Sequence, residues 1–366
     1  MKRLTVLMLA LTLATPAWSA DRLKATLGQK GNWDTAIIHL GTKAGIFARH
    51  NIEVETVYTS GSGETLQPVI SGSVDLGFAV GTLGAMAAYA KGAPVRIIGA
   101  QATGAADYWY AKASSPIKTL KDTADKTIAF STRGSSTNSI VLAFMKELDL
   151  KAKPTPTGNP ASTLTAVMTD QVDVGWASPP FGLKEIEEGK IRVVARATDA
   201  SIVKGQTIRV IVANADVLAK RKDVIVRFMQ AYREAIDYMY SDNPQVIKDY
   251  AEFVQVPEPL AKRVRDDFFP KSLLWPDEIK GLDTLMPEAV SLKFIAEPLT
   301  QAQLGELIQI QGRSSSVVPA GAKRRAGLTN HSRCGLPNVG DTWFPDRRRS
   351  LSSGQPSAGP VGRLPG

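Results

Sequence analysis

The sequence holds one cysteine, Cys334, and three histidines in 366 residues. A single thiol excludes a disulfide framework and a thiolate metal cluster. His39, His50 and His331 do not stand at metal-ligand spacing, so each reads as a surface or packed side chain. Long apolar runs are scarce as well. After residues 4–14 none approaches the roughly 18 residues that a membrane helix needs. The chain also lacks a Gly-x-Ser-x-Gly elbow, a Walker loop and a plausible Cys/His pair. These absences leave no reaction centre, and the expectation is a protein without catalytic residues, cofactor or metal.

What is present begins with a leader. Met1-Lys-Arg is a positive start, residues 4–14 are apolar, and Ala17-Trp-Ser19 is a small-x-small cleavage site. Residues 1–19 therefore read as a secretory signal peptide. No cysteine follows it, so an exported, soluble form without a lipid anchor is expected. The net charge of +9 suggests a polyanionic partner until it is located. Beyond residue 312 there are nine Lys/Arg against two Asp, and Lys2 and Arg3 lie in the leader. The body is close to neutral, which argues against a nucleic-acid partner. Residues 312–366 are rich in Gly, Pro, Ser and Arg and lose all apolar periodicity. They read as a disordered basic tail, of the kind left by a frameshift or read-through, and are set outside the fold.

Between these ends the chain repeats itself. Glu64-Thr-Leu-Gln-Pro-Val-Ile-Ser-Gly-Ser-Val-Asp-Leu-Gly-Phe-Ala79 recurs 98 positions on as Ser162-Thr-Leu-Thr-Ala-Val-Met-Thr-Asp-Gln-Val-Asp-Val-Gly-Trp-Ala177. Apolar residues three and four apart give a helix, and the apolar run after Asp75 or Asp173 gives a buried strand. A unit of this size is a lobe, not a solenoid repeat. The expected fold is α/β with two similar lobes, each a mainly parallel sheet flanked by helices, facing each other across a ligand cleft. Residues 20–103 form the first lobe and 104–213 the second. Residues 214–311 return as helices to the first. Residues 108–111 and 209–213 are expected to be strands that pair with each other where the chain crosses. Val224, Phe228, Tyr232, Ile236 and Met239 mark one long amphipathic helix.

Ligands of open α/β sheets bind beyond the carboxyl ends of the strands. That rule selects Asn32, Trp33, Ser62, Gly63, Gly81 and Thr82 in the first lobe. In the second it selects Arg133, Gly134, Ser135, Ser136, Thr137, Asn159, Trp176, Ser178 and Phe181. The sharpest stretch is Ser131-Thr-Arg-Gly-Ser-Ser-Thr137, a glycine- and hydroxyl-rich loop at a helix start. Free N–H groups and the helix dipole favour an anion there, and Arg133 adds charge. Ser135 or Ser136 equally fits a plain N-cap, and the aromatics equally fit a core. Asp75 and Asp173, identical in both copies, read as structural hydrogen-bond acceptors.

Lys43-Ala-Gly-Ile-Phe, Ile52-Glu-Val-Glu, Ser71-Gly-Ser-Val-Asp-Leu-Gly and Arg133-Gly-Ser-Ser occur in this order behind the leader. In this they resemble the periplasmic solute-binding proteins of ABC importers for aliphatic sulfonates, taurine and nitrate. That family also includes the binders of thiamin-pyrimidine precursors. The resemblance implies a type II binding-protein fold that closes on a small organic anion in the periplasm. It also implies delivery to an inner-membrane ABC permease and a monomeric receptor. By position, ligand contacts would fall at Trp33, Ser62–Gly63, Gly81–Thr82, Ser135–Thr137 and Asn159. Asn138-Ser139 stands where sulfonate binders often carry His and an aromatic, so an aromatic or aliphatic carboxylate is an equal candidate. The competing readings are an enzyme related to thiamin-pyrimidine synthase, a receptor for a sensor kinase, and a tripartite-transporter binding protein.

Overall fold

A computed structural model describes residues 19–311. The expected tail, and the leader except for Ser19, lie outside the described residues. The chain opens with the β-α-β alternation that its periodicity predicts. β1 (Asp21–Gly28) is followed by α1 (Ile37–Lys43) and α2 (Ile46–Arg49). These two helices are separate because Gly45 adopts a left-handed φ of 70°, a conformation that stops an α-helix. β2 (Ile52–Thr59), α3 (Ser62–Ser71), β3 (Leu76–Gly81), α4 (Thr82–Ala90) and β4 (Val95–Thr103) complete the first run.

The second run repeats this plan. It consists of β5 (Tyr108–Lys112), β6 (Thr127–Phe130), α5 (Ser136–Glu147), β7 (Lys153–Pro156), α6 (Pro160–Met168), β8 (Gly175–Ala177), α7 (Leu183–Glu187) and β9 (Ile191–Arg196). The chain then returns through β10 (Thr207–Asn214) to six helices. These are α8 (Ala215–Lys220), α9 (Lys222–Met239), α10 (Pro244–Val254), α11 (Glu258–Arg263), α12 (Leu282–Ser291) and α13 (Gln301–Leu307).

Strand pairing makes the duplication explicit. The first sheet runs β2-β1-β3-β10-β4, with β1 parallel to β2 and β3, and β10 antiparallel to β3 and β4. In the second, β6 is parallel to β7 and bridges in parallel to Val174, while β5 lies antiparallel between β8 and β9. Each lobe thus has one antiparallel strand, and that strand is the one by which the chain arrives from the other lobe. This corrects the expected pairing of 209–213 with 108–111. Those strands belong to different sheets, and β10 is an inner strand of the first. The second lobe accordingly ends before Thr207, not at residue 213.

Asp75 Oδ2 accepts the Lys24 N–H at 2.7 Å, and Asp173 Oδ2 accepts the Thr127 N–H at 2.9 Å. Both carboxylates are structural hydrogen-bond acceptors, as expected, and each ties the start of its strand to a neighbouring strand. A second repeated detail is a hydroxyl pair, Thr59–Thr65 and Thr157–Thr163, each at 2.6 Å.

The amphipathic stripe of α9 closes the first lobe. Phe228 and Tyr232 are fully buried and lie 5.9 Å from Phe78 of β3, ring centre to ring centre. Each such side chain contributes on the order of 2–3 kcal/mol through removal of apolar surface from water.

Candidate functional site

The lobes meet along the starts of three helices. Gly61 precedes α3, Gly81 precedes α4 and Ser135 caps α5, accepting the Asn138 N–H at 3.1 Å. Across the interface Gly63 donates its N–H to Thr132 Oγ1 at 3.0 Å, and Ser62 Oγ approaches the Gly134 carbonyl at 3.5 Å. Ser62 Oγ also accepts the Gly81 N–H at 2.8 Å. Glycine is required at this seam. A Cβ on Gly81 would stand 2.6 Å from the Gly134 oxygen and 2.8 Å from the Ser136 nitrogen. The arrangement is therefore closed, with backbone against backbone.

Beneath the seam lies a small cavity of about 10 Å³, roughly the room for one water molecule. Ser62 reaches it from the first lobe, and Ser135, Ser136 and Thr137 reach it from the second. Their hydroxyls are linked: Thr137 Oγ1 lies 2.9 Å from both Ser131 Oγ and Ser135 Oγ. Two helix N-termini, those of α3 and α5, with converging hydroxyls present positive dipole ends and donors to one small volume.

The sequence reading missed the charged part of this wall. Arg209 of β10 and Asp107, just before β5, both line the cavity. Arg209 Nη2 donates to Asp107 Oδ2 at 3.0 Å, and Nη1 lies 3.2 Å from Asp34 Oδ2. All three are at most 3% exposed. Burial pushes the Asp34 and Asp107 carboxyls above their ordinary value, and Arg209 pulls both partly back. Burial works against the Arg209 charge, but Asp107 and Asp34 together outweigh it and hold the guanidinium protonated. A signal was available in the sequence. Arg209 interrupts the apolar strand Thr207-Ile-Arg-Val-Ile-Val, and Asp107 stands between Ala-Ala and Tyr-Trp-Tyr. Charges in runs destined for burial are rarely left there without a role.

Ala79 also lines the cavity, with a left-handed φ of 57° inside a strand. Its N–H bonds Gln101 Oε1 at 2.5 Å, and Gln101 Nε2 donates to the Asp34 carbonyl at 3.0 Å. That network fixes the wall from behind.

Other expected contacts lie elsewhere. Trp33 is buried in the first lobe, where its Nε1 donates to the Tyr240 hydroxyl at 3.0 Å and its ring meets Tyr250 edge-on at 4.7 Å. Asn32 Nδ2 donates to Gln29 Oε1 at 3.2 Å, and it is Gln29 that reaches the cavity. Thr82 spends its hydroxyl on the Thr207 carbonyl at 2.6 Å. Asn159 caps α6 through the Ser162 N–H at 2.9 Å. Trp176 and Ser178 are fully buried, and Phe181 packs against Gly31. Arg133, Gly134 and Gly63 face an outer groove that continues between the lobes, not the internal cavity. None of Asn32, Trp33, Asn159, Trp176, Ser178 and Phe181 lines either space.

Two sheets that exchange strands, closing on a polar cavity lined by helix starts, define the periplasmic binding-protein fold. The alkanesulfonate-binding protein of Xanthomonas axonopodis pv. citri, solved with MOPS bound, superposes with a TM-score of 0.63 at 17% identity. The match covers 79% of this chain and 99% of that one. The periplasmic nitrate-binding protein of Synechocystis PCC 6803 also gives 0.63, at 12% identity, over 79% and 86% of the two chains. A desulfurization enzyme shares the fold, with a TM-score of 0.53 and 15% identity over 77% and 96%. Residues 32–246 match the NMT1/THI5-like family, and the chain belongs to it. A Brucella abortus protein named only in general terms, for binding, is 24% identical over 263 residues, or 70% of this chain and 80% of that one. No helix among the described residues is long and apolar enough to cross a membrane.

Proposed function

We propose that this protein is the periplasmic receptor of an ABC importer, capturing a small organic anion, a sulfonate or carboxylate, by closure of its lobes and handing it to a membrane permease. The observation that carries the reading is the convergence of two helix starts, α3 from the first lobe and α5 from the second, with the hydroxyls of Ser62, Ser131, Ser135, Ser136 and Thr137 and with Arg209, on one small cavity. The relatives that bind sulfonate and nitrate support an anion. The leader expected over 1–19 supports export. Neither His39 nor His50 lines the cavity, which favours a receptor over an enzyme on the same fold; His50 instead contacts Glu234 Oε2 at 2.8 Å.

The test is a thermal-shift screen of the purified protein against sulfonates, nitrate, aromatic and aliphatic carboxylates, and pyrimidines. A ligand at one hundred times its Kd stabilises the native state by about 2.7 kcal/mol, a shift of several degrees for a chain this long. A clear shift with one anionic class supports the reading. Folded protein that responds to no class refutes it.

A further inference from the structure

The outer groove between the lobes is far larger than the cavity. Its volume is about 720 Å³, within the range that holds an organic molecule. Of the residues that line it only Ser62 also lines the cavity, so the two spaces are distinct. One wall comes from α3, α4 and residues 292–294, the other from residues 130–142 and β7. The lining is largely hydrocarbon, from side chains such as Ile70, Ala88, Phe130, Leu142 and Phe294. Charge at the groove has one sign. Lys91, Arg133 and Lys293 line it, and no Asp or Glu does. Among the described residues none of these three side chains forms a hydrogen bond or an ion pair. Lys293 takes a left-handed φ of 60° two residues past the end of α12, where glycine is the usual choice. A lysine there costs backbone strain and puts a cation beside the groove.

Unmatched positive charge over an apolar lining suits an anion with a hydrocarbon body. Other occupants fit less well. The chain's own segment beyond residue 312 is basic and carries the wrong sign. An added strand finds no donors on the free edge of β7. Lys153 gives its N–H to the Lys126 carbonyl at 2.7 Å on the β6 side, and the outward positions are Pro154 and Pro156. A peptide laid across this lining leaves amides unmatched, whereas an alkyl chain has none to satisfy. We propose that the outer groove is a second binding site, for a single-chain anionic amphiphile. Its alkyl tail lies along Ile70, Leu142 and Phe294, and a carboxylate or similarly compact head pairs with the cations Lys91, Arg133 and Lys293. Because both lobes form the walls, the amphiphile binds the closed arrangement and stabilises it. The site goes beyond the receptor reading given above and does not depend on it.

Isothermal titration calorimetry of the full chain with hexanoate, decanoate and decyltrimethylammonium, each below its micelle-forming concentration, tests the assignment. Decanoate should bind one to one and about tenfold or more tightly than hexanoate; full burial of the added methylenes would give on the order of a hundredfold. It should also bind about tenfold more tightly than the cationic amphiphile of the same tail. Lys91→Gln, Arg133→Gln and Lys293→Gln combined should remove that preference for the anion. Ala88→Trp, which fills the groove, should abolish one-to-one binding. If Ala88→Trp fails to fold by circular dichroism, the triple variant, altered only at exposed side chains, decides. Decanoate that binds no better than hexanoate, that binds in many copies as a detergent does, or that binds the triple variant equally well overturns the inference. So does association with phosphatidylglycerol vesicles without binding of monomeric decanoate, which would make this face a membrane contact. The thermal-shift response to short anions is read separately, so the receptor reading stands or falls on its own.

Discussion

Gly84→Ala separates closure of the lobes from stability within them. Gly84 lies in α4, and a Cβ there would fall inside contact distance of the Gly134 carbonyl oxygen and 3.1 Å from its carbon. The obstacle is backbone of the opposite lobe, held by the left-handed φ of 79° at Gly134, so no side chain can swing aside. Within α4 itself alanine is favoured over glycine by about 0.8–1 kcal/mol. The methyl therefore supports its own lobe and wedges the two apart. Overpacking of this kind costs roughly 1–3 kcal/mol, and here the cost falls on the closed arrangement alone. The ratio of closed to open forms should drop about 5- to 150-fold, and ligand affinity with it. Small-angle scattering should show a larger radius of gyration, with unchanged far-ultraviolet circular dichroism and no loss of melting temperature. An unchanged radius with a lower melting temperature would refute the reasoning, because the methyl would then have been absorbed by distorting α4.

Two further outcomes follow from side chains outside the cavity. Trp33→Phe removes the bond to the Tyr240 hydroxyl and opens a small void in the core. It should lower unfolding stability by about 1–2 kcal/mol in a denaturant titration and leave ligand affinity unaltered; weakened binding at unchanged stability would put the indole back among the ligand contacts. His39 stacks on Phe253 at 4.0 Å, and burial first, then Lys43, holds its imidazole below its ordinary pKa of 6.5. The unfolded chain therefore takes up a proton near pH 6.5 before the folded one does. Stability from this group is complete above that pH and is lost as the pH falls through the depressed value. The melting temperature should decline on acidification across this range, and His39→Gln should flatten that part of the profile.

Much of the architecture is legible along the chain because burial imposes local period. The stripe from Val224 to Met239 emerges as α9. The 98-residue repeat survives as paired carboxylates and paired threonine hydroxyls at equivalent places. The loop 131–137 reaches the cavity through Ser131, Ser135, Ser136 and Thr137, because a strand that feeds a helix through glycine and hydroxyls presents its N–H groups wherever that strand ends. The same loop also shows the limit of such reading. Arg133, its only charged residue, turns into the outer groove.

Charge in the cavity comes from residues far apart in sequence. Asp34, Asp107 and Arg209 meet only because β10 enters the first sheet between β3 and β4 while β5 joins the second. No local pattern reports which sheet a crossing strand will join, since an apolar strand suits either. Trp33 illustrates the same division. Its sequence position at a strand end permits cleft or core, and packing by Tyr240 and Tyr250, more than two hundred residues away, decides for the core. The sequence by itself determined the elements, the duplication and the hydroxyl loop, all set by neighbours a few positions apart. Only the tertiary structure decided which sheet each crossing strand joins and which charges face the cavity, because those depend on contacts between segments that the chain keeps far apart.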